Sequence, residues 1–288
     1  HDSYPGNINE FIAYANSLGA DMETNKPYYA KDINGYKYIF LGGDNTAYYG
    51  LESATANSND AELSATQLQW LDAQLLDNEQ NNSGKPVFVM LHQSMTNTVA
   101  GSFDNQGWSG VVNEDALKDI IQKYNNVILL GGHSHWELNS VNNLYAGSDD
   151  TPVVVNTASV GYLWSDRIVS GAGEYLEGTQ GFYVRVYEDK VVFLGRDFEN
   201  HKWIPSACYV IYNEDIKGSD LLLNVDDELT VDEYLENTKG RALSFATTDV
   251  NTVQVDENGT ITATGIGTAE IIVTAQPTDT EVITREKI

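Results

Sequence analysis

Four of the five histidines in this 288-residue chain occupy positions suited to chemistry. His1 opens the chain in the pair His1-Asp2. His92 ends the apolar run Val87-Phe88-Val89-Met90-Leu91, and His133 and His135 close Val127-Ile128-Leu129-Leu130-Gly131-Gly132-His133-Ser134-His135. Neutral imidazole is a common ligand for zinc, iron and similar ions, so three imidazoles at the ends of two apolar runs suggest a metal site. On extended backbone, side chains two residues apart point the same way, which would turn His133 and His135 toward one site. A turn would break that parity. The fifth histidine, His201, lies in the polar stretch Arg196–Trp203 and reads as a surface residue.

The elements that must position these groups follow from periodicity. Both histidine-terminated runs are short, rich in β-branched or large apolar residues and bounded by polar ones, as buried strands are. A side chain where such a strand runs out stands at the sheet edge, where open α/β folds bind ligands. A helix is predicted from Ile8 to Leu18, stopped by Gly19. A strand is predicted from Tyr36 to Leu41. Ser64-Ala65-Thr66-Gln67 has the form of a capping box before Leu68, Leu71 and Leu75 at helical spacing. Asn113-Glu114-Asp115 has the form of a second helix start before Leu117, Ile120, Ile121 and Tyr124. Beyond residue 150 the pattern turns to strands, at Val153–Val155, Gly181–Tyr187, Val191–Leu194 and Ala207–Ile211. Helix–strand alternation followed by strands predicts a layered α/β core.

The run Gly132-His133-Ser134-His135 after a strand resembles the Gly-His-x-His signature of the calcineurin-like metallophosphoesterases. His92 resembles the single strand-end histidine that precedes it, and His1-Asp2 resembles the end of the family's Gly-Asn-His-Asp/Glu motif. The resemblance spans about the first 210 residues. It implies a four-layer α/β/β/α sandwich and a phosphoesterase with two divalent or trivalent metal ions, manganese, zinc or iron. It further implies that His92 and His133 share one ion while His135 binds the other. By the same analogy His1 is the acid toward the leaving alcohol, with Asp2 orienting its ring. The family's upstream Asp-x-His and Gly-Asp motifs have no counterpart before His1, so the chain reads as a fragment lacking part of the metal-ligand set and, as a hydrolase, impaired on its own. Gly43-Asp44 comes too late in the order to replace them.

Composition narrows the partners. Lys+Arg number 16 against 42 Asp+Glu, a formal charge of −26. Such a surface repels polyanions, so binding to a nucleic-acid backbone is not expected. A short phosphate ester remains compatible, because metal ions invert the local field. The single cysteine, Cys208, permits no internal disulfide and reads as a structural thiol in a strand. No stretch approaches the ~18 apolar residues of a membrane helix. Asp44 and Asn45 follow a strand, and Trp108, Trp136, Tyr162 and Trp164 lie near the motif strands as a candidate aromatic wall.

Asn213–Asp220 reads as a linker, which divides the chain into residues 1–213 and 219–288. The second part alternates with period two, at Val253-Gln254-Val255, Ile261–Thr264 and Ala269–Ala275, around a hairpin turn at Glu257-Asn258-Gly259. That rhythm predicts a small β-sandwich. The segment Val255–Ala269 also resembles the bacterial immunoglobulin-like domain, group 2, which implies a secreted or cell-surface protein, often Gram-positive, that associates with the wall or surface through this domain. The function expected is metal-dependent hydrolysis of phosphate mono- or diesters. The alternative is a catalytically degenerate phosphoesterase scaffold serving as a surface binding or adhesion module.

Overall fold

A computed structural model describes residues 7–19, 22, 26–44, 60–82, 84–106, 110–148, 151–165, 174–187, 190–212, 221–235, 242–275 and 284–287. Two compact units emerge, His1–Tyr209 and Val210–Ile288.

The first unit opens with α1 (Asn7–Ser17), β1 (Tyr29–Ile33) and β2 (Tyr36–Leu41). Asn34 and Gly35, at φ 54° and 79°, join the two strands. A two-residue turn with left-handed backbone matches the twist of an antiparallel pair, and Asn-Gly adopts it readily. Next come α2 (Ala65–Asn81), β3 (Val87–Leu91), α3 (Glu114–Ile121), β4 (Val127–Gly131), β5 (Leu144–Tyr145) and β6 (Val153–Asn156). One six-stranded sheet results, ordered β1-β2-β3-β4-β6-β5. The inner strands β2, β3, β4 and β6 are parallel, while β1 and β5 pair antiparallel at the edges. Val89 and Leu129 on the central strands are fully buried, and Leu71, Leu75, Leu117 and Ile121 pack the two helices into the same core.

Both helix starts differ from the simple capping expectation. The Ser64 hydroxyl does accept from the Gln67 N–H at 3.1 Å. The Gln67 side chain, however, is drawn into the core, where it bonds both backbone groups of Gly42. Asp44 takes the reciprocal role, accepting from the Ser64 N–H at 2.7 Å and its hydroxyl at 2.8 Å. Asn113 makes no side-chain cap; its amide bridges the Leu63 backbone instead. In each case a backbone pair distant in sequence took a side chain that the local capping pattern would have used.

The Tyr124 hydroxyl, just past α3, donates to the Asp72 carboxylate of α2 at 2.8 Å. That bond holds the Asp72 carboxyl below its usual value, and burial with Asp72 pushes Tyr124 up to about 12. A lowered carboxyl contributes stability above the unfolded carboxylate range and loses it as pH falls through the folded value. Tyr124→Phe is expected to cost about 0.5–1 kcal/mol at neutral pH, a small effect because the carboxylate is 39% exposed. In urea melts the gap should narrow as the solution is acidified through the lowered Asp72 value.

The unit continues with β7 (Leu163–Ser165) and β8 (Glu174–Leu176) as an antiparallel pair. Then β9 (Gln180–Val186), β10 (Lys190–Asp197) and β11 (Lys202–Tyr212) form a three-stranded sheet ordered β11-β10-β9. Cys208 is half-buried on β11, its thiol toward the Ile204 carbonyl at 3.6 Å. His201 is exposed in the turn before β11. Among the described residues every α-helix precedes β4, and none is long and apolar enough to cross a membrane. The architecture is mixed α/β with more strand than helix.

The second unit contains β12 (Glu228–Thr230), a short 3-10 turn (Val231–Tyr234), β13 (Leu243–Thr247), β14 (Val253–Val255), β15 (Thr260–Ala263), β16 (Ile271–Ala275) and β17 (Thr284–Lys287). Its two sheets are ordered β12-β15-β14 and β13-β16-β17. Both supply one apolar cluster, Val253 and Ile261 from the first sheet, Ile271 and Val273 from the second, and Val231 between. The turn before β15 is held by Asp256, whose carboxylate accepts from the N–H of Asn258 and of Thr260. Gly259 there has φ 77°, and a Cβ on it would meet Phe245 and Val231 at 2.9 Å. The linker expected at Asn213–Asp220 lies outside the described residues.

Candidate active site at the sheet edge

β3 and β4 run parallel in register, Val89 beside Leu129 and Met90 beside Leu130. Their following residues therefore leave the same sheet edge side by side. The Gly132 N–H donates to the His92 carbonyl at 3.0 Å. On the other flank, the Thr157 N–H and hydroxyl both donate to the Gly131 carbonyl, at 2.8 and 2.7 Å. The exit of β4 is thus clamped between the exits of β3 and β6. The Ser134 hydroxyl pins the next turn by donating to the Ala100 carbonyl.

This scaffold brings His92 and His133 together. Nε2 of His92 and Nδ1 of His133 are 3.2 Å apart, and the rings meet edge to face at 5.0 Å between centroids. His133 is buried and His92 exposed. Two imidazoles at 2.0–2.1 Å from one tetrahedral ion stand roughly 3.3 Å apart. The pair therefore fits two corners of such an ion as well as it fits an imidazole–imidazole hydrogen bond.

The expected parity of His133 and His135 does not hold. Neither is extended: φ is 62° at His133 and 56° at His135. The left-handed turn carries the His135 ring onto Tyr162, 4.4 Å between centroids. Among the described residues, no three His, Cys, Asp or Glu side chains converge as a metal requires. Two donors fit an ion, and a complete two-metal ligand set is not found within the described part. His1 and Asp2 lie outside the described residues, as do Asn45 and Trp108. Asp44 is spent on the α2 start rather than the cleft.

Packing requires only the first of the two glycines in the motif. A Cβ on Gly131 would meet the Ser94 hydroxyl oxygen at 2.0 Å and its Cα at 3.2 Å, whereas on Gly132 the nearest atom, Thr157 Oγ1, is 3.5 Å away. Gly131 is needed where the loop after His92 crosses β4. Gly131→Ala is expected to cost about 1–3 kcal/mol by overpacking. Gly132→Ala should stay within ~0.5 kcal/mol. Denaturation midpoints of the two variants test this, and equal losses would refute the packing assignment.

Beneath the histidine turn lies a buried polar network that the sequence reading missed. The fully buried Asn156, at the end of β6, donates to the Trp136 carbonyl at 3.0 Å and to the Asn143 side-chain oxygen at 2.6 Å. Gln180 accepts from the Leu138 N–H at 2.7 Å. Glu137 is 3% exposed and accepts from the Ser165 hydroxyl at 2.5 Å. The only sequence signal was Asn156 itself, a polar residue ending an apolar run as His92 does.

No curated protein shows significant similarity to the chain. One solved structure that resembles it, "GAP50 the anchor in the inner membrane complex of Plasmodium", aligns with TM-score 0.36 at 10% identity, covering 64% of this chain and 51% of that one. The chain thus spans about half the length of that protein. The stretch that contains His1, His92, His133 and His135 is the one with a family match: residues 1–137 match the model of the calcineurin-like phosphoesterases.

Proposed function

We propose that the first unit is a metal-dependent phosphoesterase acting on phosphate mono- or diesters. The observation that carries this reading is the His92–His133 pair, 3.2 Å apart at the carboxyl edge of a parallel sheet, within a calcineurin-like match. His92 and His133 are the proposed donors to one ion and His135 to a second, the ions being manganese, zinc or iron. Bound there, they would supply Lewis acidity toward the phosphoryl oxygens and acidify a water. In hydrolysis the water oxygen bonds to phosphorus, the ester P–O bond breaks, and the leaving oxygen takes a proton. His1, oriented by Asp2, is the proposed donor of that proton.

The finer architecture belongs to the same proposal. The first unit is read as a four-layer sandwich of the family, and residues 219–288 as an immunoglobulin-like module. The protein is read as secreted or surface-bound in a Gram-positive bacterium, attached to wall or surface through that module and indifferent to nucleic-acid backbones. Chromogenic phosphate mono- and diesters, offered to the full chain with manganese, zinc or iron, test the activity. Turnover abolished by a chelator and restored by metal is expected. A chain that holds metal stoichiometrically yet turns over neither ester would instead act as a binding scaffold.

A further inference from the structure

The face of the β7–β8 hairpin beside His135 is lined with aromatic rings. The Trp164 N–H donates to the His135 carbonyl at 2.9 Å, and the Glu137 N–H donates to the Trp164 carbonyl at 2.8 Å. The buried Glu137–Ser165 bond adds a side-chain lock between the same two segments. β7 is therefore registered onto the histidine turn itself. Tyr162 immediately precedes β7 and Trp164 lies on it, and both rings meet Tyr175. Tyr175 is the cross-strand partner of Trp164 and the diagonal neighbour of Tyr162, within reach for aromatic rings.

The rings form a continuous series. His135 and Tyr162 are 4.4 Å apart, Tyr162 and Tyr175 are stacked at 5.5 Å, and Trp164 meets Tyr175 edge-on at 5.9 Å. The inward side of β7 is apolar or hydrogen-bonded, with Leu163 and Ser165 buried. Tyr175 remains 54% exposed, although three large rings on a two-stranded ribbon would ordinarily be buried. A series of rings that is half-buried at Tyr162 and Trp164 and exposed at Tyr175, beside a candidate reaction centre, suits stacking against a planar ring.

We infer that Tyr162, Trp164 and Tyr175 form a stacking platform that selects phosphate esters whose leaving group carries a planar aromatic ring. The inference rests on the phosphoesterase reading for its chemistry, but the platform is testable without it. Calorimetry on the full chain would compare 2-phenylethylphosphonate with 2-cyclohexylethylphosphonate, equal in reach but not in planarity. Adenosine 5′-monophosphate against ribose 5-phosphate, measured at low temperature, would tell a nucleoside source from a simple aryl one. About tenfold tighter binding of the aromatic member is expected in at least one pair. Tyr175→Leu should bring that ratio toward one, and Tyr175→Phe should keep it. Equal binding within both pairs, or a ratio unmoved by Tyr175→Leu, would overturn the platform. Hydrolysis of 2-phenylethyl phosphate is scored separately. No hydrolysis beside an intact ring preference would refute the esterase and leave the platform standing.

Discussion

On the phosphoesterase proposal, the double variant His92→Ala, His133→Ala is expected to lose the transition metal bound there and at least a hundredfold in kcat/KM on a phosphate ester. The two imidazoles meet with their nitrogens 3.2 Å apart, each at the end of a largely buried strand whose register places them side by side. Removing both deletes two donors of one proposed ion while leaving the strands intact. A hundredfold loss corresponds to roughly 2.7 kcal/mol of transition-state stabilisation, and an ion acting as Lewis acid supplies several. Because His133 is buried, its replacement also leaves a void, so the comparison needs a fold check by circular dichroism. His201→Ala, altering an exposed turn residue, is the control. Elemental analysis gives the decisive readout: equal metal per chain in the double variant and in the control would remove both histidines from the ligand set.

Asn156→Asp is expected to destabilise the protein more than Asn156→Ala, and to do so increasingly as pH rises. The Asn156 amide nitrogen faces two oxygens, the Trp136 carbonyl and the Asn143 side-chain oxygen, in a fully buried site. Alanine leaves those acceptors without this donor and opens a small cavity, together about 2–4 kcal/mol. Aspartate keeps the shape but turns an acceptor toward two acceptors. Its protonated form can still donate to one of them, so the folded state would bind the proton more tightly than the unfolded chain does. A carboxyl with its folded value raised stabilises below the unfolded value, and that contribution is lost as pH rises through the folded value. The aspartate variant should therefore be most stable near pH 4 and worst at pH 7, opposite in slope to the Asp72 contribution. Urea midpoints across that range decide it, and a flat difference between the Asp and Ala variants would show that the amide has no special part in the network.

The legible features were those set by short-range periodicity and long apolar runs. β3 and β4 are marked by runs such as Val87–Leu91, which can be stable only when covered on both faces, and the histidines were visible because they interrupt those runs. α2 was legible from Ser64 and the leucines at helical spacing. The Asn34-Gly35 turn signal of the β1–β2 hairpin is masked because β1, Tyr-Ala-Lys-Asp-Ile, lacks alternation on its own. The caps went astray at Gln67 and Asn113, where partners distant in sequence, at Gly42 and Leu63, took the side chains. The direction of His135 was also beyond local rules. Its left-handed turn is bonded to β7, about thirty residues later, through the Trp164 N–H. The buried network of Asn143, Asn156, Glu137 and Gln180 is likewise a product of tertiary closure, since isolated polar residues look like surface until the strands around them are placed.

The left-handed backbone at His133 and His135 also bears on how such a site would drift. An L-residue with a Cβ is held there at a cost of roughly 1–2 kcal/mol, which glycine does not bear. A library selected for heat tolerance alone should therefore enrich glycine at the half-buried His135, and not at His133, where loss of the buried ring would leave a void. Thermal screening and screening for the proposed activity would pull position 135 toward opposite residues, and descendants freed from that activity should show glycine where the His135 imidazole stood.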